Sequence, residues 1–159
     1  MTLKNTSFLA RIKMNFKKLI ADNNGKLDGI DLAYQNLSGF KLDRISLRGA
    51  NLQGANLINS SLVWTDLTGA NLTQAQLVGA DMTEAIARNG NFLKADLQQA
   101  KLVMTCFHGA VLTQANLKSA TLVGTDFTQA NLLDAAVSEL ELYDSCCLSA
   151  TVLPTGGYS

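Results

Sequence analysis

The sequence predicts an all-β solenoid, a parallel β-helix of roughly square section with a short N-terminal helix over one end. Three observations predict it. A five-residue period runs through most of the chain, each period has the spacing of a short strand followed by a corner, and the first two dozen residues carry a helical periodicity instead.

The period comes first. Positions 27, 32, 37 and so on to 152 make 26 sites in a single register. Eighteen are Leu, three are Phe (Phe92, Phe107 and Phe127), and the rest are Met82, Ala87, Val137, Cys147 and Val152. Two residues before these centres Ala stands at 14 sites, and one residue before them Asp or Asn stands at 12. Ala50-Asn51-Leu52-Gln53-Gly54 and Ala70-Asn71-Leu72-Thr73-Gln74 show the unit in clean form.

A period of five matches neither the 3.6 of a helix nor the 2 of a flat strand. Inside each unit, however, Ala and Leu stand two apart with a polar residue between them, which is strand alternation: in, out, in. The remaining two residues, often Thr followed by Gly or Gln, have turn chemistry. Each unit is therefore one extended side and one corner. Corners at this spacing make a coil, and stacked coils pair backbone to backbone about 4.8 Å apart, as in any parallel sheet. Four sides let four inward Leu meet at the axis with Ala at the tighter positions, whereas more sides leave a hollow, so close packing selects the square.

The A-[D/N]-L-x-x unit resembles that of the pentapeptide-repeat family. The resemblance covers residues 25–153 and implies a right-handed quadrilateral β-helix with four units per coil, about six and a half coils here, roughly 30 Å tall at the stacking distance above. It implies no single function. Some members resemble duplex DNA in size and negative charge and bind type II topoisomerases such as gyrase, so a DNA mimic is one alternative for this chain.

Departures from the unit mark places to inspect. Ala85-Ile86-Ala87-Arg88-Asn89 puts Ala at the centre and Ile at a polar site. With twenty residues per coil, Phe107 stacks on Ala87 and Phe92 lies on the adjacent side, so either the rings fill the space that Ala87 leaves or a bulge turns Ile86 inward.

Both ends of a coil expose unpaired backbone that must be covered. In residues 6–21, Phe8, Leu9, Ile12, Phe16, Leu19 and Ile20 recur at helical spacing, with Arg11, Lys13, Lys17 and Lys18 elsewhere on the wheel. A basic amphipathic helix of this kind suits a membrane surface, but a solenoid that begins at Leu27 needs a lid, and residues 1–24 are read as that lid. Asn23-Asn24-Gly25 supplies residues that tolerate a left-handed C-terminal cap. Beyond Val152, residues 154–159 read as a loose tail. The last coil is then open to a two-fold contact with a second copy, giving a monomer or a dimer through the C-terminal coil.

At 159 residues and 47% hydrophobic composition the chain makes one domain with a real core. Its 13 basic and 13 acidic residues cancel, so no global field favours nucleic acid, and a DNA mimic needs more negative charge than this. The charge is nonetheless uneven, with Lys4, Arg11, Lys13, Lys17 and Lys18 against Asp22 alone in residues 1–24, and eight bases against twelve acids after that. Three cysteines without a C-x-x-C spacing give no disulfide framework, and no apolar run approaches the roughly 20 residues of a membrane span. The reading is a cytoplasmic protein that does not act at a membrane.

No metal or cofactor motif is present, and none is expected. Cys106 and His108 stand two apart and face outward on one side, the one pairing that suggests nucleophilic catalysis, yet no third group or oxyanion hole accompanies them. Cys106 and Cys146 sit two coils apart, about 9.6 Å, beyond reach of a disulfide. Sorting outward residues by side is more informative. The wall centred on Leu42, Leu62, Met82, Leu102, Leu122 and Leu142 displays Val63, Trp64, Val103, Met104, Val123 and Tyr143, whereas the wall centred on Leu47, Leu67, Ala87, Phe107 and Phe127 displays Arg48, Thr68, Arg88, His108 and Thr128. Exposed aromatic and Met side chains grouped on one wall have the composition of a partner-binding patch, with Trp64 as its anchor. The sequence is therefore read as a non-enzymatic, regulatory interaction module that binds a protein partner through an outer wall or the C-terminal end of the β-helix.

Overall fold

Every side of the coil pairs with the side twenty residues further on. The computed structural model describes residues 16–157 and 159. From Lys26↔Ser46 to Asn116↔Ala136 an unbroken series of parallel backbone pairs joins residue i to residue i+20, so four five-residue units close one turn. The centres point inward, and Leu42, Leu47, Leu52, Leu57, Leu62, Leu67 and Leu72 are fully buried, each burial contributing about 1.5–3 kcal/mol.

Backbone hydrogen bonding explains why the unit has the composition it has. Around Leu67, the N–H groups of Leu67 and Gly69 donate to Ile86 and Arg88 in the next coil, that of Asp66 donates to Ile45 in the coil before, and that of Ala70 closes the turn on Leu67. The fifth N–H, on Thr68, has no backbone partner in this scheme and donates instead to Asp66 Oδ1 at 2.9 Å. All twelve Asp or Asn residues that precede a centre accept the N–H two residues on in this way. Where Ser stands there instead, at Ser46 and Ser61, an Asp from the coil before substitutes: Asp28 Oδ1 accepts Arg48 N at 3.2 Å and Asp43 Oδ1 accepts Val63 N at 3.1 Å.

Each corner turns through a left-handed residue. From Gly29 to Asp134 the second residue after every centre has φ between +53° and +68°, and fourteen of these residues are not glycine. A non-glycine residue held there costs roughly 1–2 kcal/mol, a strain that the three cross-coil hydrogen bonds per side outweigh. The interior adjusts to the odd unit as well. Ala87 is buried and Ile86 is 40% exposed, with Ile86 paired to Asp66 and Cys106, so there is no bulge. The Phe92 and Phe107 rings meet edge to face at 5.1 Å and Phe107 stacks on Phe127 at 5.4 Å, filling the space above Ala87. Gly90 stands where Ala is usual because a Cβ there would lie 2.8 Å from Phe92 Cε2.

At the N-terminal end, residues 16–22 are helical (α1). Phe16 packs edge-on to Phe40 at 5.6 Å, and Gly25 N–H closes the helix on Ile20 O with Asn24 and Gly25 both at positive φ. Phe8, Leu9, Ile12 and the remainder of residues 1–15 lie outside the described residues.

The C-terminal end departs from the sequence reading. Thr125–Asp126 (β1) pairs in parallel with Cys146–Cys147 (β2), and Asn131 pairs with Val152, a spacing of 21 that breaks the register expected to run to 152. With the four walls of the coil numbered from those that hold Leu27, Leu32, Leu37 and Leu42, Glu139–Ser145 forms a helix, α2, in place of the fourth side. A strand here would put Leu140 in the inward corner column of Ala80, Ala100 and Ala120, whereas Glu139-Leu140-Glu141-Leu142 is a run of good helix formers. Leu142 remains buried, now from a helix. After α2 the centres are Leu148 and Leu153, not Cys147 and Val152; Cys147 is exposed and Leu153 buried. Nor do Pro154 and Ser159 belong to a loose tail. Pro154 O accepts Asp134 N–H, and Ser159 returns to bond Thr151 N–H and O and Leu148 O.

Two substitutions test this structure. The Ser60 hydroxyl is buried without a hydrogen-bond partner, so Ser60→Ala should raise stability in urea denaturation by about 1 kcal/mol. Ala150 has φ of +56°, so Ala150→Gly should raise the urea midpoint; in an unshifted register Ala150 would be an extended, inward residue and Gly would lower it.

Candidate functional site

The fourth wall is built from two outward columns. The residues just after its centres are Asp43, Val63, Thr83, Val103 and Val123, and the left-handed corners beside them are Arg44, Trp64, Glu84, Met104 and Gly124. Backbone bonds from each corner to the next coil, such as Trp64 N to Thr83 O at 3.2 Å and Met104 N to Val123 O at 2.9 Å, hold the columns in step. Because the corner backbone is left-handed, its side chain is thrown clear of the core. Trp64 is 54% and Met104 62% exposed, and Val123 is 57% exposed, while Val63 and Val103 are half-buried.

The six residues singled out by sequence do not form one continuous surface. Thr83 and Glu84 separate Val63 and Trp64 from Val103 and Met104, and two coils put the Trp64 and Met104 corners about 9.6 Å apart. Val103, Met104 and Val123 do adjoin, with Met104 Cγ only 3.3 Å from where a Cβ on Gly124 would sit. Tyr143, 57% exposed, projects from α2 and not from a strand. Sequence reasoning also passed over Leu140 on α2 and Tyr34 at a second-wall corner, both 70% exposed. Tyr34 was detectable: its ring lies over Gly54, at the corner twenty residues on, and a large residue followed by Gly at that interval is a signal readable from sequence.

On the first wall, Cys106 and His108 are both half-buried. The Cys106 thiol donates to Asp126 Oδ2 at 3.5 Å, so a carboxylate rather than the imidazole receives it. A thiol next to an anion is not set up as a nucleophile, since activation needs a neighbouring positive charge or base. The shifted register aligns Cys106 with Cys147 through Asp126, not with Cys146 as counted from the period. The two-coil separation is unchanged, and Cys106 and Cys147 are free thiols. Among the described residues no cluster of His, Cys, Asp and Glu is placed to hold a metal ion, and no helix is long and apolar enough to cross a membrane.

The wall carboxylates Asp66, Asp81 and Asp126 titrate below the ordinary carboxylate value. Partial burial is the largest single influence and raises each one, but it is outweighed by the hydroxyl and N–H of Thr68, Thr83 and Thr128, helped by Arg48 at Asp66, Lys101 at Asp81, and Cys106 and His108 at Asp126. Arg48 Nη1 lies 2.9 Å from Asp66 Oδ2, and Lys101 Nζ 3.4 Å from Asp81 Oδ2. Because the folded values lie below the unfolded one of about 3.9, the stability these groups supply is complete above roughly pH 4 and is lost as pH falls through the folded values. The Asp66→Asn, Asp81→Asn, Asp126→Asn triple variant keeps the side-chain oxygen that accepts the N–H. Its melting temperature should fall less steeply below pH 4 than that of the wild type, while a parallel fall would show that other groups set the acid limb.

With the wall described, comparison with known proteins becomes informative. The family profile described as Pentapeptide repeats matches in eight copies over residues 26–62, 65–102, 75–114 and 105–139. Among solved structures, the chain is similar to the pentapeptide repeat protein alr5209 from Nostoc PCC 7120, at 25% identity and a TM-score of 0.52, covering 74% of this chain and 78% of that one. It is also similar to Rfr23 from the cyanobacterium Cyanothece 51142 (25% identity, TM-score 0.47, covering 74% and 97%). HetL, involved in heterocyst differentiation regulation in Nostoc sp. strain PCC 7120, matches at 21% identity and a TM-score of 0.44, covering 84% and 81%. No curated protein sequence matches.

Proposed function

Since the chain belongs to the pentapeptide-repeat family, whose fold is a right-handed quadrilateral β-helix, we propose that it is a non-enzymatic interaction module of regulatory role that binds a protein partner through its fourth wall. The observation that carries this reading is the placement of Trp64, Met104 and Val123 on one wall, each more than half exposed. Large apolar and aromatic groups held rigidly in solvent have a free energy to gain only by being covered. The scaffold suits the role: coils stacked in register present a flat face with little entropy to lose on binding. In this reading about six and a half coils form the body and the N-terminal helix is its lid, supported by Phe16 against Phe40. The free thiols of Cys106 and Cys147 favour a reducing compartment, and we take the cytoplasm as its location.

Affinity capture from the source cell's lysate, comparing wild type with a Trp64→Asn, Met104→Asn double variant, tests the proposal. Asn tolerates the left-handed backbone at both corners, so thermal melting should confirm an intact fold. A partner retained by the wild type and lost by the variant is the expected result. A partner retained equally by both would remove the fourth wall as the binding surface.

A further inference from the structure

The two ends of the sequence carry opposite charge. Residues 1–24 hold five bases and one acid, the segment from Ser119 onward holds Asp126, Asp134, Glu139, Glu141 and Asp144 with no Lys or Arg, and the stretch between is near neutral, with eight bases and seven acids. Chain order is also spatial order, because each coil stacks on the one twenty residues before it. Among the described residues, Lys17 and Lys18 stand against Asp22 at α1, while Asp126, Asp134 and Glu141 follow Lys118 towards the other end of the coil.

Each end also leaves apolar groups uncovered beside its charges. On α1, Lys17 and Lys18 are exposed and Leu19 is exposed with them. At the other end, Leu140 and Tyr143 stand out from α2. Where the chain leaves the third wall to enter α2, a groove of about 460 Å³ opens, floored by Ala135, Ala136 and Val137 and rimmed by Glu141 and Lys118. Lys118 is the last cation of the chain and is a single charge against the five acids that follow it.

We propose that the C-terminal end, with its groove and the exposed face of α2, is a docking surface for the basic end, α1, of a second copy of this chain. Opposite ends attract over the distance that salt permits, whereas a two-fold contact between C-terminal ends would oppose five acids to five. The contact is heterologous, so each assembly keeps one unused end of each kind and association continues beyond a dimer. It does not involve Trp64, Met104 or Val123, and so stands or falls independently of the partner-binding reading.

Sedimentation velocity over a range of protein concentrations tests the proposal. At about 0.01 M salt, where the Debye length is about 30 Å, the mean mass should rise with concentration past that of a dimer. At about 1 M salt, where the Debye length is about 3 Å, it should return to the monomer. Lys17→Glu with Lys18→Glu, and separately Glu141→Lys, should each weaken association at least tenfold. Mixed in equal amounts, the two variants should form a heterodimer and nothing larger, because one retains a working C-terminal end and the other a working N-terminal end. Thermal melting confirms that both fold, and Lys17→Gln with Lys18→Gln, and Glu141→Gln, should weaken association in the same direction. A monomer at every concentration in low salt overturns the proposal. So does a dimer that stops at two copies and is unchanged by the Lys17 and Lys18 substitutions.

Discussion

A backbone that turns a corner every five residues must find acceptors for its N–H groups without a continuous strand to lean on, and the rest of this structure follows from that requirement. Three N–H groups per side reach the neighbouring coils and one closes the turn. The fifth belongs to the residue after the centre, and it is the residue before the centre that answers it. Asp and Asn are the short side chains whose oxygen reaches that far within an extended side. The polar position of the repeat is thus set by hydrogen bonding, while the inward Leu and Ala are set by the width of the square. The exchange at Ser46 and Ser61, where a carboxylate from the previous coil answers the same N–H, shows that the requirement lies with the donor and not with any one sequence position.

This separation of duties explains why the outer surface is free to vary. Asx residues and inward Leu make the coil; the two residues of each corner do not enter the core and carry whatever the wall displays. Trp64, Met104 and Val123 use that freedom on the fourth wall. So do the charges that accumulate towards the two ends, and neither feature demands any change in the interior.

Most of the fold was legible in the sequence because its period is short and repeated many times. The centres from Leu27 to Leu132 are where the period puts them, and the outcome at Ala87 follows from the volumes of Phe92 and Phe107. The failure at α2 has a local cause. Leu142 kept the period alive in the sequence, but its neighbours Glu139, Leu140 and Glu141 are good helix formers. Period-counting weighs the centre and ignores such a neighbour, so it misplaced Cys147 and Val152 by one residue. The wall was legible in part: the register put Trp64, Met104 and Val123 on one side, with Glu84 between the first two, but it could not foresee that Tyr143 would arrive on a helix. The tail escaped notice because its role rests on Ser159 folding back to Thr151 and Leu148, a contact without periodicity.

The left-handed corners carry one more implication. Tyr34, Asn59 and Asn89 each lean over a glycine twenty residues later, at Gly54, Gly79 and Gly109, and Met104 comes close to Gly124 in the same manner. A Cβ at Gly54, Gly79 or Gly109 would come within 2.4–2.6 Å of its overhanging neighbour. At these four corners the surface is written in pairs and not in single letters, so that each glycine is the footprint of the side chain one storey below. Any effort to redecorate these walls, by evolution or by hand, would have to change both members of such a pair together, and sequences related to this one should carry the trace as covariation at an interval of twenty.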